Sequence, residues 1–255
     1  MDLETRLALN RINQDFYRFR AQEFSATRQR PWRGWHRMME ILEAEAGHPA
    51  PLSVLDVGCG NGRFARFLQE YYPCPYTYAG LDSSPEALEH ARVGLAGMAS
   101  VRLLQHDVVT CGKERIVPAE LDDPFSLISV FGVLHHVPSY ERRRDLLIAL
   151  GDRLRPQGVL AISIWQFGRF ERFRKKLLPW DVFSQKTGLA IDPTQLEPGD
   201  HILSWGGVPA AYRYCHFIDD DEASRLVSSL SLAPIAVLHA DGPSENLNRY
   251  YLLRR

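Results

Sequence analysis

The sequence predicts an α/β fold: an open, mostly parallel sheet with helices on both faces. Three observations carry that prediction. The middle of the chain alternates short apolar runs with amphipathic stretches of helical spacing, the mark of strand–helix–strand units. A glycine-rich turn, Asp56-Val57-Gly58-Cys59-Gly60-Asn61-Gly62, separates the first apolar run from the helix behind it. Two acids, Asp82 and Asp107, follow the ends of the next two runs, where an open sheet gathers its ligand.

Residues 3–42 are amphipathic and rich in arginine: Arg6, Arg11, Arg18, Arg20, Arg28, Arg30, Arg33 and Arg37. We read residues 1–42 as a helical arm beside or over the core. Leu52 to Val57 is the first strand, an apolar run that stops at glycines. Phe64, Phe67, Leu68, Tyr71 and Tyr72 recur at helical spacing and predict a helix over 62–72. Tyr76 to Leu81 is the second strand. Ser84-Pro85 reads as an N-cap with proline in the first turn of the next helix, which Leu88, Ala91 and Leu95 continue on one face. Val101 to Gln105 and Phe125 to Phe131 are the third and fourth strands. A helix over 139–154 shows leucines four apart (Leu146, Leu150, Leu154). The turn Arg155-Pro156-Gln157-Gly158 then leads to a fifth strand, Val159 to Trp165.

Regularity lapses after that. Residues 166–210 are rich in aromatics, Pro and Gly, and residues 166–218 read as a cap inserted over the ligand edge. A helix from Asp219 to Leu230 and two last strands, Pro234 to His239 and Arg249 to Leu253, complete the chain, with a turn around Asp241-Gly242-Pro243.

Length and composition fit one soluble domain, 1–255, with 45% hydrophobic and 24% charged residues among 255. Lys+Arg (30) and Asp+Glu (31) nearly cancel, so bulk charge gives no support for nucleic-acid binding. The start, Met1-Asp2-Leu3-Glu4, is charged and has no apolar stretch, so no signal peptide is expected. No apolar run approaches the roughly 20 residues of a membrane span. Cys59, Cys74, Cys111 and Cys215 are scattered without a C-x-x-C pair. That argues against a zinc site or a disulfide framework and for a reducing cytoplasm.

The turn at Asp56–Gly62 carries the first chemistry. Glycines let the backbone turn sharply and approach a ligand. The pattern is G-x-G-x-G with an acid two residues before it, not the G-x-G-x-x-G of dinucleotide folds, and it favours S-adenosyl-L-methionine as the cofactor. Asp56, Gly58, Cys59, Gly60, Asn61 and Gly62 are its candidate contacts. Asp82, with Ser83 beside it, suits a ribose diol, since a carboxylate accepts two hydrogen bonds. Asp107 suits the adenine amine, with Val108 offering its backbone amide. Phe131-Gly132-Val133-Leu134-His135-His136-Val137-Pro138 follows the fourth strand and places Phe131 and His135 near the transferred methyl. Adjacent residues rarely point the same way, so a His135–His136 metal pair is not expected and no metal is assigned.

Outside the core, Phe24-Ser25-Ala26-Thr27-Arg28-Gln29-Arg30-Pro31-Trp32 is aromatic and basic, and Arg28 suits the carboxylate of the cofactor. Trp32, Trp180, Tyr212, Arg213 and His216 are the candidate acceptor contacts, basic and aromatic groups that suit an anionic nucleoside-like molecule. The cap aromatics serve equally well as a core of their own. The stretch Phe170, Arg172, Phe173, Arg174, Lys175 and Lys176 reads equally as a solvated helix face.

Together, Asp56 to Gly62, Asp82, Asp107 and the segment after the fourth strand resemble the class I S-adenosylmethionine-dependent methyltransferases over residues 36–165. That resemblance implies a seven-stranded sheet of order 3-2-1-4-5-7-6. A narrower resemblance covers most of the chain. The segment Phe24 to Trp32, Val133-Leu134-His135-His136 with Glu141-Arg142-Arg143, Leu178-Pro179-Trp180, and Arg213-Tyr214-Cys215-His216-Phe217 are similar to the tRNA wobble-uridine carboxymethyl methyltransferases. It implies methylation of the carboxylate of 5-carboxymethyluridine in tRNA, with a small activator subunit as partner. For an in-line transfer to a carboxylate we expect His135 and Arg213 to be the catalytic residues, orienting the acceptor rather than taking a proton. A small metabolite as acceptor, and a non-catalytic partner subunit of the same fold, are the alternatives.

Overall fold

The computed structural model describes residues 1–27, 30–46, 51–98, 100–112, 115–205 and 211–255. Its centre is a parallel run of five strands: β1 (Leu52–Val57), β2 (Tyr76–Asp82), β3 (Val101–Gln105), β4 (Phe125–Phe131) and β5 (Leu154–Trp165). Two antiparallel neighbours extend it. These are β10 (Asn248–Arg254), paired to β5, and β9 (Ala233–Ala240), paired to β10. The order is β3-β2-β1-β4-β5-β10-β9. Counted without the strands of the cap, this is the expected 3-2-1-4-5-7-6, the class I methyltransferase fold.

Helices cover both faces. Every residue of the central β4 is buried, which is why it reads as an unbroken apolar run. In β1, Val54 and Leu55 face opposite ways, and each enters a different core. Leu55, Ile128 and Ile162 pack with α5 (Tyr140–Asp152) and α8 (Asp220–Ser228), through Leu146, Leu150 and Leu226. Val54, Tyr78 and Leu127 pack with α2 (Arg33–Ala46), α3 (Arg63–Tyr71) and α4 (Pro85–Gly94), through Met38, Phe64, Leu68 and Leu88. Ser84, Ser139 and Asp219 cap their helices, accepting from the backbone N–H groups of Ala87, Arg142 and Glu222.

The expected turn at 155–158 falls inside β5 as a wide bulge. Phe125 pairs with Leu154, but Leu127 pairs with Val159, and Gln157 adopts φ 65°. The extra residues loop out while the ladder continues on either side.

The insertion is more regular than its composition predicts. It contains α6 (Glu171–Arg174), β6 (Leu177–Leu178), α7 (Trp180–Thr187), β7 (Asp200–Trp205) and β8 (Ala211–His216). The three strands form a separate antiparallel sheet in the order β6-β7-β8. Against it lies α1 (Leu3–Ala26), whose Leu9 and Ile12 share a core with Phe183, Ile202 and Tyr214. The arm and the cap are therefore packed together rather than laid on the domain independently. Among the described residues no helix is long and apolar enough to cross a membrane.

A buried ion network bolts this cap to the sheet. The Arg143 side chain of α5 is fully enclosed; its Nε donates to Glu222 Oε1 (2.7 Å) and its Nη2 to Glu197 Oε2 (2.5 Å). His216 of β8 sits between Asp200 (2.7 Å) and Glu222 (2.7 Å). Burial works against a charge on His216, but the bonds to Asp200 and Glu222 outweigh it and raise its pKa. Burial would raise the Asp200 and Glu222 carboxyls, and the bonds to His216 outweigh it and hold both below their ordinary values.

Candidate active site

A cavity of about 1020 Å³ opens at the carboxyl ends of β1 to β5, roofed by α1 and the cap. Its size is at the upper end for a small-molecule site. The glycine turn forms its floor. Gly58 has φ 73°, and a Cβ there would lie 2.3 Å from Val133 Cγ2. Gly60 has φ 55°, and a Cβ there would meet nothing within 4 Å, so the backbone stands open to a ligand.

Asp56 lines the cavity, and both of its carboxylate oxygens are already engaged by neighbouring strands. Tyr78 donates to one oxygen (2.5 Å) and Ser129 to the other (2.7 Å), beneath the turn. Burial pushes its pKa up to about 6, against those two bonds. Its role is to brace β1 to β2 and β4 under the glycines. Cys59 lines the cavity as a neutral thiol, since burial holds its pKa well above the ordinary value. Asn61 also lines it and donates to Ser25 Oγ (2.8 Å), tying the turn to the end of α1. Gly62 is the N-cap of α3 and is not among the residues that line the cavity.

Asp82 is poised at the end of β2. Its Oδ2 accepts from Gly60 N (2.8 Å) and its Oδ1 from Ser84 N (2.9 Å), while Ser83 lies beside it on the wall. Burial raises its pKa, opposed by those N–H groups. Each oxygen keeps a lone pair for a diol. At the end of β3, Asp107 Oδ1 takes Val109 N (2.8 Å), and Oδ2 takes the side chains of Asn10 (2.8 Å) and Gln14 (3.0 Å) from α1. Arg142 holds the Val108 loop in place by donating to the carbonyls of Val108 and Cys111 (both 2.6 Å).

The α1 contribution was missed by the motif reading. Asn10, Asn13, Gln14 and Tyr17 all line the cavity, at the i, i+3, i+4, i+7 spacing of one helix face. Asn13 is 4% exposed, and among the described residues neither atom of its amide has a hydrogen-bond partner. That spacing was the available signal, a polar stripe inside an otherwise amphipathic segment.

Beyond β4, Phe131 and His135 line the cavity as expected, with His135 packed 5.1 Å from Trp165. His136 is a brace. Its Nδ1 donates to Tyr214 O (3.0 Å), which leaves Nε2 to accept from Tyr17 (2.8 Å). His135, His136 and Cys215 each place a donor atom within 4.8 Å of the others. That is a poor cation site, because both ring nitrogens of His136 are engaged and burial pushes the Cys215 thiol up to about 11. The other such group, Glu197, Asp200 and His216, is consumed by the ion network.

Arg213 is the notable side chain of the cap end. It is 5% exposed, and its Cζ lies 4.9 Å from the Trp165 ring, 5.5 Å from Trp205 and 5.6 Å from Phe16. Among the described residues no carboxylate pairs with it. Trp32 also lines the cavity. Trp180, Tyr212 and His216 do not reach the cavity. Trp180 donates to Asp200 O (3.3 Å) and packs with Tyr212 in the core shared by the cap and α1, and His216 lies in the ion network. Aromatic and basic residues suit a core as well as a ligand, and here packing claims all three. Arg28 lies outside the described residues.

Comparison with known proteins agrees with this geometry. Residues 26–202 match a family model described as a methyltransferase domain. The chain is 30% identical over 145 residues to mouse tRNA (carboxymethyluridine(34)-5-O)-methyltransferase ALKBH8, covering 57% of this chain and 18% of that protein. It is 38% identical over 81 residues to trans-aconitate 2-methyltransferase of Acidovorax ebreus, covering 32% of this chain and 28% of that protein. The chain thus spans less than a third of either relative. An S-adenosylmethionine-dependent methyltransferase from Clostridium acetobutylicum shares the fold, with TM-score 0.60 at 13% identity over 94% of this chain and 97% of that one.

Proposed function

This chain belongs to the S-adenosylmethionine-dependent methyltransferases, and we propose that it methylates a carboxylate, that of 5-carboxymethyluridine at the tRNA wobble position. The observation that carries this reading is Arg213. A buried guanidinium among aromatic rings is partly stabilised by their faces, but its N–H edge still calls for an anion. A carboxylate matches that edge in shape and charge, by two parallel hydrogen bonds.

The cavity fits the cofactor. Open backbone at Gly60 and two carboxylates at the ends of β2 and β3 suit an adenosine, with Asp82 toward the ribose and Asp107 toward the adenine amine. When bound, the cofactor supplies an electrophilic methyl group on a sulfonium. The acceptor needs no base, because a carboxylate of pKa about 4 is ionised at neutral pH. Arg213 therefore orients the acceptor and takes no proton. His135 and Trp165 wall the acceptor end, and the roof of α1 and cap excludes water.

Two observations bear on the size of the acceptor. Arg172 lies over Phe173 (4.7 Å) and Lys176 over Trp205 (5.9 Å), a basic and aromatic edge suited to nucleic acid. Against that, Arg169 pairs with Asp220, Lys175 with Glu171, and Arg33 with Glu245, which neutralises much of the surrounding basic charge. A small carboxylate is the second reading, favoured by the roofed cavity and by the relative named for aconitate.

The test is incubation with methyl-labelled S-adenosylmethionine and three acceptors: tRNA bearing carboxymethyluridine, tRNA lacking it, and a panel of small di- and tricarboxylates. Label in the first alone is expected. Label only in a small acid selects the second reading, and label in none of them contradicts both.

A further inference from the structure

We infer that Arg63, the first residue of α3, is the group that holds the amino-acid carboxylate of the cofactor. Arg63 lines the cavity among a different set of rings from those around Arg213. Its Cζ lies 4.9 Å from the Trp32 ring and 5.1 Å from Trp35, and one Nη donates to Arg30 O (3.1 Å). Among the described residues no carboxylate pairs with it. Asp241, an acid whose charge acts on Arg63, is occupied: its oxygens accept from Gly34 N (3.1 Å), Asn248 Nδ2 (2.8 Å) and the Tyr250 hydroxyl (2.5 Å). Burial draws the Arg63 pKa down to about 10, so the side chain stays charged at neutral pH while most of its water is stripped away.

The ends of the cavity divide the work. Asp82 and Asp107 mark the nucleoside end, at β2 and β3. His135, Trp165 and Arg213 mark the acceptor end, beyond β4 and β5. An adenosylmethionine that spans from the first toward the second passes over the glycine turn, and its amino acid meets the wall of Trp32, Trp35 and Arg63 directly after that turn. Among the described residues, the other cations there serve less well. Arg30 is exposed, and Arg33 is paired to Glu245. Among the described residues, Arg63 and Arg213 are thus two buried or part-buried arginines of the cavity without a carboxylate partner, one for each partner in the reaction.

The test compares S-adenosylhomocysteine with its decarboxylated analogue, S-adenosyl-3-thiopropylamine, which keeps the amine. Dissociation constants are measured by calorimetry on the full chain. The native protein should prefer S-adenosylhomocysteine on the order of 10- to 100-fold, the worth of a charged, bidentate contact. Arg63→Met should lose that preference by weakening S-adenosylhomocysteine alone, and Arg63→Lys should keep only part of it. An unchanged preference in either variant would overturn the inference, and if Arg28→Met abolished it instead, the role would pass to Arg28. Equal weakening of both ligands by Arg63→Met would also overturn it, since that is what a merely structural residue does.

Discussion

Asp56→Asn should make the protein more stable at neutral pH, by an amount that depends on pH in a defined way. Asp56 is enclosed at 3% exposure and its pKa is pushed from 3.8 to about 6, chiefly by burial. A raised carboxylate binds its proton more tightly when folded, so stability falls as pH rises through the interval between 3.8 and about 6 and is level above it. At about 1.4 kcal/mol per pKa unit, the ionised Asp56 costs roughly 3 kcal/mol at pH 7. Asparagine removes that cost. Its Oδ1 still accepts from Tyr78, and its amide can donate to Ser129 Oγ. Urea denaturation of both proteins across pH isolates the group, since every other titration cancels in the difference. The variant should gain roughly 3 kcal/mol on the native protein between about pH 4 and pH 7, most of it below pH 6. A difference flat with pH would refute the burial of this charge.

Further outcomes follow from the turn and from the cap. Gly58→Ala combines a positive φ with a Cβ 2.3 Å from Val133 Cγ2, so it should cost about 2–4 kcal/mol. Adding Val133→Ala should return the part due to the clash, and thermal melts that show no recovery would contradict the contact. Arg143→Met takes from Glu197 its guanidinium and leaves Glu222 with His216 alone, and should destabilise by about 3–5 kcal/mol, which urea unfolding measures. The same network has a pH window. His216, raised, contributes fully below its unfolded value of about 6.5 and less as pH rises past its folded pKa; Asp200 and Glu222, lowered, contribute above about 4.5 and less as pH falls. Cleavage of the cap by a protease should therefore be slowest between about pH 5 and 6.5, and a rate that falls steadily toward pH 9 would contradict the network.

The sheet was legible because its strands are local statements. Leu52–Val57, Val101–Gln105 and Phe125–Phe131 are apolar runs bounded by turn residues, and the structure places all three strands at those residues. Asp82 and Asp107 were legible for the same reason, since each follows its own strand directly. The cap sheet was not. Its β6 has only two residues, and β7 and β8 are separated by a Gly- and Pro-containing stretch that reads as coil. The ion network was illegible in kind, because the partners of Arg143 lie 54 and 79 residues along the chain. Residue type alone misplaced Trp180, Tyr212 and His216, whose aromatic and basic groups serve packing and pairing instead of the cavity. Arg213, chosen on the same grounds, does line it. What separates Arg213 is where the fold puts it: Trp180 and Tyr212 pack into the core shared by the cap and α1, His216 is held by carboxylates, and among the described residues no carboxylate pairs with Arg213.

The central claim is that the transferred methyl becomes a carboxylate ester, and the chemical form of the product tests it most directly. Product labelled from methyl-labelled S-adenosylmethionine, with carboxymethyluridine-bearing tRNA or a small polycarboxylate as acceptor, is treated with mild base. An ester gives its label up as methanol, and product formation should drop on the order of 100-fold or more in Arg213→Met. Label that survives the base, held on nitrogen, carbon or an ether oxygen, would contradict carboxylate methylation outright.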